Sequence, residues 1–314
     1  MIEHLLSMDQ LAASDITTIL DTAESLLEVT HRPIKKLPTL RGRTVCNLFY
    51  EASTRTRISF ELAAKRLSAD VINFSADNKS SVAKGESFKD TAWTLEAMGV
   101  DAIIVRHGAS GAPHQLAQWV KASVINAGDG RHEHPTQALL DLFSIRRRFK
   151  DLEGLEVAIV GDVVNSRVAR SNVKGLIEMG AGVTLVGPPT LVPKAVSAWG
   201  ARIEHDLDQV IADVDICYLL RVQKERQAEQ LFPSDREYAA CWGLDSKRLS
   251  RMKPEALVMH PGPLNRGVEI SAEVSESDRA IILDQVSNGL AVRMSLLYLM
   301  LGGRESGGGA AEWS

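Results

Sequence analysis

The chain has 314 residues, of which 45% are hydrophobic and 24% are charged, and its formal net charge is −4. This length suggests two globular domains of about 150 residues each. An acidic balance argues against a nucleic-acid partner, which needs an excess of basic residues. The longest apolar run, residues 294–301, is too short to span a bilayer, so no membrane partner is expected.

The cysteines and the N-terminal residues indicate a reducing compartment. Cys46, Cys217 and Cys241 are far apart in the sequence and follow no Cys-x-x-Cys pattern. A disulfide framework is therefore not expected. We expect a cytoplasmic location instead. Residues 1–10 carry two acidic side chains and no long apolar core, which is not the pattern of a secretory signal.

The first half of the chain alternates helical and strand patterns. Apolar residues at helical spacing predict an amphipathic helix over residues 9–29. Strands are expected at 44–50, 71–74, 101–106 and 123–126, and helices at 87–98, capped by Ser87, and at 135–148. Residues 76–86 form a polar loop, which is either a functional lid or simply mobile.

A second series begins at residue 155, after a charged hinge at 146–153. Strands are expected at 157–161, 183–186, 213–220 and 256–259, and a long apolar helix at 285–301. This alternation predicts an α/β fold of two doubly wound parallel-sheet domains with a cleft between them. The expected domains are 1–150, completed by the returning C-terminal helix 285–302, and 151–284. Residues 303–314 are expected to be a flexible tail.

The segment Ser53–Arg57 stands where the first strand ends and a helix begins. Hydroxyl residues there can cap the helix, and its free N–H groups can bind an anion. Two cations, Arg55 and Arg57, are unfavourable at a helix N-terminus unless an anion offsets them. One hypothesis is a phosphate site with Arg55 as the charge partner. The alternative is a capped surface helix with solvated arginines, and the spacing alone does not separate the two.

Other polar residues follow later strands of the first series. Arg106 stands at the end of one strand, where ligands bind in open parallel sheets. His134 and Gln137 share a face at the start of a helix. The neighbouring histidines 132 and 134 form no metal-binding spacing with a third ligand, so no metal is expected. A neutral imidazole and an amide fit polar recognition better.

The second series repeats the pattern of cations at strand ends. Arg167 opens a helix, Arg221 and Gln223 leave a strand, and His260–Pro261–Gly262–Pro263 forms an irregular turn. Guanidinium groups in this half can pair with carboxylates in a bidentate way. No dinucleotide or nucleotide motif occurs, and no cofactor is expected.

Taken together, these motifs resemble those of the aspartate transcarbamoylase catalytic chains, over essentially the whole sequence. The resemblance rests on Ser53–Thr54–Arg55–Thr56–Arg57, His134–Pro135–Thr136–Gln137, Arg221–Val222–Gln223–Lys224–Glu225–Arg226 and His260–Pro261–Gly262–Pro263. The first motif is shared with ornithine transcarbamoylases, so the second half decides the acceptor amine. Ornithine enzymes carry His-Cys-Leu-Pro at the last motif. Some aspartate enzymes have leucine where this chain has Gly262, a position where the resemblance implies a backbone role.

The resemblance implies transfer of the carbamoyl group from carbamoyl phosphate to L-aspartate, an early step of pyrimidine biosynthesis. It implies that Arg55, Thr56, Arg106 and His134 are catalytic. The carbamoyl-phosphate site would comprise Ser53, Thr54, Arg55, Thr56, Arg106, His134 and Gln137, with backbone contacts from Pro261 and Gly262. The aspartate site would comprise Lys84, Arg167, Arg221 and Gln223.

The resemblance also implies a homotrimer with shared active sites, because Ser80 and Lys84 match residues that come from a neighbouring subunit. The sequence leaves open whether a regulatory chain or a dihydroorotase also binds this trimer. Two alternatives stay open from the sequence. The chain is a transcarbamoylase for another amine, or it is a non-catalytic subunit that only binds or assembles.

Overall fold

The computed structural model describes residues 2–75, 86–223, 231–232 and 234–302. Within these ranges, two parallel β-sheets with covering helices follow one another along the chain. The predicted fold, two doubly wound α/β domains with a cleft between them, is confirmed. The predicted tail and residues 76–85 of the predicted polar loop lie outside the described residues, and the domain bounds stay a prediction.

The first sheet has the strand order β2-β1-β3-β4, and all its neighbours are parallel. The central strands are apolar and buried on both faces, as expected where helices cover a parallel sheet. The elements of this half are α1 (Ala13–His31), β1 (Thr44–Phe49), α2 (Thr54–Arg66), β2 (Asp70–Ser75), α3 (Phe88–Ala97), β3 (Ala102–His107), α4 (Ala112–Trp119), β4 (Ser123–Asp129) and α5 (Pro135–Phe149).

The second sheet has the order β7-β6-β5-β8-β9 and is also parallel. Short 3₁₀ turns lie at Met8–Gln10, Pro38–Leu40, Lys194–Trp199 and Leu207–Gln209. The elements of this half are β5 (Glu156–Val160), α6 (Arg167–Glu178), β6 (Gly182–Val186), β7 (Arg202–Glu204), β8 (Ile216–Leu219), α7 (Asp235–Trp242), α8 (Ser246–Arg251), β9 (Leu257–Met259), α9 (Ala272–Ser275) and α10 (Ile282–Leu301).

Each sheet has one point where the strand order reverses. In the first sheet the chain moves outward from β1 to β2 and returns to the other side at β3. In the second sheet the same reversal separates β5 from β8. Ligands of open α/β sheets bind in the crevice at the carboxyl ends of such strands. The segments that follow β1, β3, β5 and β8 are therefore the natural place for a site.

Helix ends follow local capping chemistry. The Ser87 hydroxyl accepts from the backbone N–H of Asp90 at 3.2 Å, which confirms the predicted cap of α3. Helix α1 begins at Ala13, later than predicted. Asp9 belongs to a separate 3₁₀ turn, and the Asp15 carboxylate accepts from the Ala12 N–H at 3.1 Å at the actual helix start.

The last helix, α10, returns to the first half of the chain and packs against α1, α2 and α5. It begins at Ile282, three residues before the predicted start. Most of its residues are buried, including the polar side chains Gln285, Asn288 and Arg293. Helices α5 and α6 also pack together, so one apolar cluster runs from the first half into the second. This packing holds the two sheets in place relative to each other, with residues that follow their strands lining one cavity.

Candidate active site

A cavity of about 930 Å³ lies between the two sheets, beside both points of strand reversal. It brings together every predicted site residue that the structure describes. These residues are Ser53, Thr54, Arg55, Thr56, Arg106, His134, Gln137, Arg167, Arg221, Gln223, Pro261 and Gly262. The predicted Ser80 and Lys84 lie outside the described residues. The individual binding roles stay predictions.

The start of helix α2 faces this cavity. Ser53 is the N-cap residue, yet within the described part of the chain its side chain makes no capping hydrogen bond. The first turn contains Arg55 and Arg57 and no acidic residue. Partial burial lowers the pKa of Arg55 from its ordinary value. A positive helix end, an uncapped hydroxyl and a partly buried guanidinium together favour a multivalent anion.

Arg106 and Arg167 reach the cavity from opposite halves and share one carboxylate. Arg167 Nη2 donates to Glu51 Oε2 at 2.8 Å, and Arg106 Nε lies 3.6 Å from the same oxygen. Backbone carbonyls orient both side chains: Arg106 Nη1 donates to Ala127 at 3.1 Å, and Arg167 Nη1 donates to Gly130 at 3.3 Å. The two guanidinium groups are thus held in place before any ligand arrives.

Gly128 allows this close approach. Its φ is +114°, in the region that favours glycine, and a Cβ there would lie 2.9 Å from Arg167 Nε and 3.1 Å from Arg106 Nη1. Any side chain at this position would push both cations away from the end of β4.

His134 is buried at the N-terminus of α5 and is held as a neutral imidazole. Burial lowers its pKa well below the ordinary value, and the cations Arg106, Arg167 and Arg293 lower it further. Its backbone N–H donates to Ser171 Oγ at 2.9 Å, which ties the start of α5 to α6. A neutral ring can offer one N–H donor to a polarised oxygen without adding charge.

Gln137 lies one turn further along α5. Its Nε2 donates to Asp141 Oδ1 at 3.1 Å, so the amide is held at one end by a buried carboxylate. This contact leaves the carbonyl end of the amide for the cavity.

The turn at residues 260–263 forms another wall of the cavity. The His260 Nδ1 accepts from the Gly262 N–H at 2.7 Å, and its Nε2 lies 3.3 Å from Glu269 Oε1. The backbone N–H of His260 donates to Gln285 Oε1 at 3.1 Å. The Gly262–Pro263 peptide bond is cis. Gly262 has φ +63°, and a Cβ there would lie 2.7 Å from Arg55 Nη1, so this turn packs directly against the α2 arginine.

Arg221 and Gln223 follow β8 on the opposite wall. The Gln223 N–H donates to Asp162 Oδ2 at 3.2 Å, and its Nε2 donates to the Asn165 carbonyl at 3.2 Å. These bonds anchor the segment to the loop after β5. Residues 224–226 of the predicted motif lie outside the described residues. The Arg221 guanidinium and the anchored Gln223 amide suit a carboxylate ligand.

Three further cavity residues, Glu51, Gln285 and Arg293, carried no assignment from the sequence. Arg293 donates to Ser59 Oγ at 2.7 Å, and its Nε has no hydrogen-bond partner among the described residues. Burial lowers its pKa to about 10. A signal was present, because a lone arginine in an apolar helix is rarely buried without a polar task. Glu51 could have been found as the carboxylate next to a run of arginines.

The described residues offer neither a metal-binding cluster nor a membrane-spanning helix. Among the described residues, no three His, Cys, Asp or Glu side chains are grouped so as to hold a metal ion. Instead, His132 Nδ1 lies 3.1 Å from Asp129 Oδ2, and Glu133 accepts from Ser171 and Lys174. None of the described helices combines the length and apolar character that crossing a membrane requires.

Two family models match the chain in succession. The carbamoyl-P binding domain of the aspartate/ornithine carbamoyltransferases matches residues 3–147, and their Asp/Orn binding domain matches residues 153–300. Together the two models define the class of the chain by its fold and site, the aspartate/ornithine carbamoyltransferases.

Individual relatives narrow this class. An aspartate carbamoyltransferase catalytic subunit from Acidothermus cellulolyticus is 60% identical over 314 residues, 99% of this chain and 97% of the relative. The Trypanosoma cruzi aspartate transcarbamoylase complex with carbamoyl phosphate and aspartate has a TM-score of 0.86 at 31% identity, covering 95% and 97%. The M. jannaschii catalytic subunit has a TM-score of 0.84 at 34% identity, covering 97% and 100%. The chain therefore belongs to the aspartate carbamoyltransferase family of enzymes, and the resemblance stated from its motifs is confirmed.

Proposed function

We propose that this chain transfers the carbamoyl group of carbamoyl phosphate to the α-amino group of L-aspartate, giving N-carbamoyl-L-aspartate and phosphate. The observation that carries this proposal is the convergence of Arg55, Arg106, Arg167 and Arg221 on one cavity. With Arg293, five arginines line a cavity of about 930 Å³, which suits two small ligands with several negative charges. The ligands of the related T. cruzi complex support the same choice.

In this proposal the phosphate binds at the start of α2. Ser53, Thr54, Arg55 and Thr56 provide N–H groups, hydroxyl groups and one guanidinium, all near the positive end of the helix. Arg55 supplies charge-assisted hydrogen bonds, which are about twice as strong as neutral ones.

The carbamoyl group lies next to the phosphate. Thr56, Arg106 and His134 donate to its carbonyl oxygen, on which negative charge develops during the reaction. Gln137 and the main-chain carbonyls near Pro261 and Gly262 hold its NH₂ group. Removal of one oxyanion donor typically raises the barrier by about 2.7–4 kcal/mol. The pre-bonded positions of Arg106 and His134 support this role.

The two carboxylates of aspartate bind Arg167, Arg221 and Gln223 on the other wall. Lys84 and Ser80 complete the site from a neighbouring subunit, as in the homotrimer that the motifs imply. We assign the chain to a cytoplasmic trimer in pyrimidine biosynthesis. A regulatory chain or a dihydroorotase is its further partner, which agrees with relatives named as catalytic subunits.

The reaction needs no covalent enzyme intermediate. The free amine attacks the carbonyl carbon, a C–N bond forms, and a tetrahedral oxyanion results. The C–O bond to phosphate then breaks, and the departing phosphate takes the amine proton. The protein contributes positioning and charge stabilisation. Closure of the two halves after aspartate binds excludes water from the cavity.

A product assay with the purified chain tests the proposal. The chain is incubated with carbamoyl phosphate and either L-aspartate or L-ornithine, and carbamoylated product and phosphate are quantified together. We expect one phosphate per N-carbamoyl-L-aspartate and no turnover with ornithine. Preference for ornithine would identify a different acceptor. Absence of product with every amine would identify a subunit that binds without catalysis.

A further inference from the structure

Asp141 lies on α5 behind the cavity wall and is fully buried. Its Oδ1 accepts from Gln137 Nε2 at 3.1 Å and from Gln285 Nε2 at 2.7 Å. Its Oδ2 accepts from Asn172 Nδ2 at 2.9 Å and from the Tyr218 hydroxyl at 2.7 Å. The donors come from α5, α10, α6 and β8, so one carboxylate joins elements of both halves.

This cluster fixes the polarity of two amides in the cavity wall. An ionised carboxylate only accepts hydrogen bonds, so each amide must turn its NH₂ group toward Asp141. A second bond supports this polarity for Gln285, because its Oε1 accepts from the His260 N–H at 3.1 Å. For Gln137 the same rule leaves Oε1 as the amide atom available to a ligand in the cavity.

A carbonyl oxygen at that position distinguishes ligands by one group. A carbamoyl phosphate and an acetyl phosphate have the same shape and differ only in NH₂ against CH₃. The NH₂ group can donate to Gln137 Oε1, whereas a methyl group would leave that oxygen desolvated and unpaired. An unpaired buried polar group is penalised by about 1–3 kcal/mol.

We propose that Asp141 is a specificity-determining positioning residue, which holds Gln137 as an acceptor and so selects a carbonyl group that carries NH₂ over one that carries a methyl group. This inference rests on the proposed function, since it concerns the carbamoyl subsite of the same cavity. Through Gln285 and the backbone N–H of His260, Asp141 also holds the turn at residues 260–263, which lines the same cavity.

The energetics of the cluster favour a role beyond stability. Burial raises the pKa of Asp141 to about 6, so ionisation costs free energy in the folded chain although the carboxyl is still mostly ionised near pH 7. Buried charges are often replaceable by neutral or apolar groups at no loss of stability. What a neutral amide could not provide is an acceptor-only partner, because an amide offers both a donor and an acceptor to Gln137.

The test compares two stable phosphonates that differ only in the recognised group. Phosphonoacetamide carries the NH₂ group, and 2-oxopropylphosphonate carries a methyl group in its place. Calorimetry gives the dissociation constant of each for the wild-type chain and for Asp141→Asn, which has the same shape. We expect the wild type to prefer the amide by about tenfold or more. In Asp141→Asn this preference should fall to near unity, through weaker binding of the amide alone.

Two further variants separate positioning from folding. Tyr218→Phe removes one donor from Oδ2 but leaves the Gln137 bond, so the preference should persist. Asp141→Asn combined with Gln137→Glu moves the acceptor-only group to the cavity wall, and the preference should return. Because this double variant keeps one carboxylate in the cluster, it tests the polarity even if the single variant folds poorly.

The outcomes are distinct. Three results overturn the role of Asp141 and leave the proposed function standing. They are an unchanged preference in Asp141→Asn, equal weakening of both phosphonates in that variant, and a double variant that does not recover the preference. A wild-type chain that binds neither phosphonate overturns the proposed function together with this assignment. Selective loss with recovery in the double variant supports both.

Discussion

Arg167 donates to the carboxylate of Glu51 at 2.8 Å, although the two residues lie on opposite sides of the cleft. The same carboxylate oxygen lies 3.6 Å from Arg106 Nε. Glu51 therefore offsets the repulsion between two cations that the fold brings together. An anionic substrate meets a pair of arginines already held by a carboxylate.

Glu51→Gln should lower the free energy of unfolding by about 1–2 kcal/mol, because Arg106 and Arg167 then repel without compensation. Excess inorganic phosphate should restore part of the loss, since its charge replaces that of the carboxylate. Chemical denaturation with and without phosphate measures both effects. Equal losses in the two conditions would contradict this account of Glu51.

Arg55→Ala should weaken phosphate binding by about 10- to 100-fold, the range for loss of a charge-assisted hydrogen bond. Arg57→Ala is the matched control, because it removes the same charge from the same turn and Arg57 does not line the cavity. Calorimetric titration with phosphate compares the two variants. If both lose affinity equally, the effect is one of general charge and the α2 site is wrong.

Arg221→Ala should raise the KM for aspartate by about 100-fold and leave the KM for carbamoyl phosphate within about threefold, because a carboxylate partner is lost on one wall only. Arg170→Ala serves as the control in the same half, since Arg170 stacks on Trp199 away from the cavity. Steady-state kinetics with each substrate varied in turn decides. Similar increases in both KM values would reject a cavity with two separate walls.

His134 should remain neutral at pH 6, as its lowered pKa requires. A histidine in the unfolded chain takes up a proton near pH 6.5. Below that pH the unfolded chain therefore binds more protons, and the contribution of His134 to stability is lost as the pH falls. Ring nitrogen shifts in labelled protein report the charge directly. In His134→Asn, the slope of the unfolding free energy against pH below about 6.5 should correspond to up to about one proton fewer. A charged His134 ring at pH 6 would refute the prediction.

Mixed trimers test the shared active sites that the motifs imply. Arg55→Ala and Lys84→Ala chains, each inactive alone, should regain some activity after mixing and reassembly. A trimer with both kinds of chain contains at least one site in which neither substitution falls. Self-mixed samples of each variant are the controls. Activity that never exceeds these controls would argue for sites built from a single chain.

Local sequence features predicted most strands of both sheets and the strand ends at which the site lies. Ser87 predicts its own helix start, because capping involves only the next three residues. The apolar runs that form β1, β3 and β5 predict buried parallel strands. Residues after parallel strands share one edge of a sheet, so the sequence predicts that Arg55 and Arg106, which follow β1 and end β3 in the first sheet, lie near one another.

Contacts between residues far apart in the chain could not be predicted from the sequence. Glu51 and Arg167 are 116 residues apart, and nothing local tells which carboxylate meets which cation. Arg293 sits in an apolar helix whose partner surface is set only by the tertiary fold. The short strand β7 pairs through three residues and carries too little pattern to be recognised. Burial of Asp141 likewise follows from four elements meeting at one point.

Helix α10 supplies Gln285 and Arg293 to the cavity although it is nearly the last segment of the chain. During synthesis, this segment leaves the ribosome after both sheets have emerged. A polypeptide interrupted anywhere before residue 282 therefore lacks part of the floor of its own pocket. Only molecules whose translation has passed helix α10 can therefore complete the cavity.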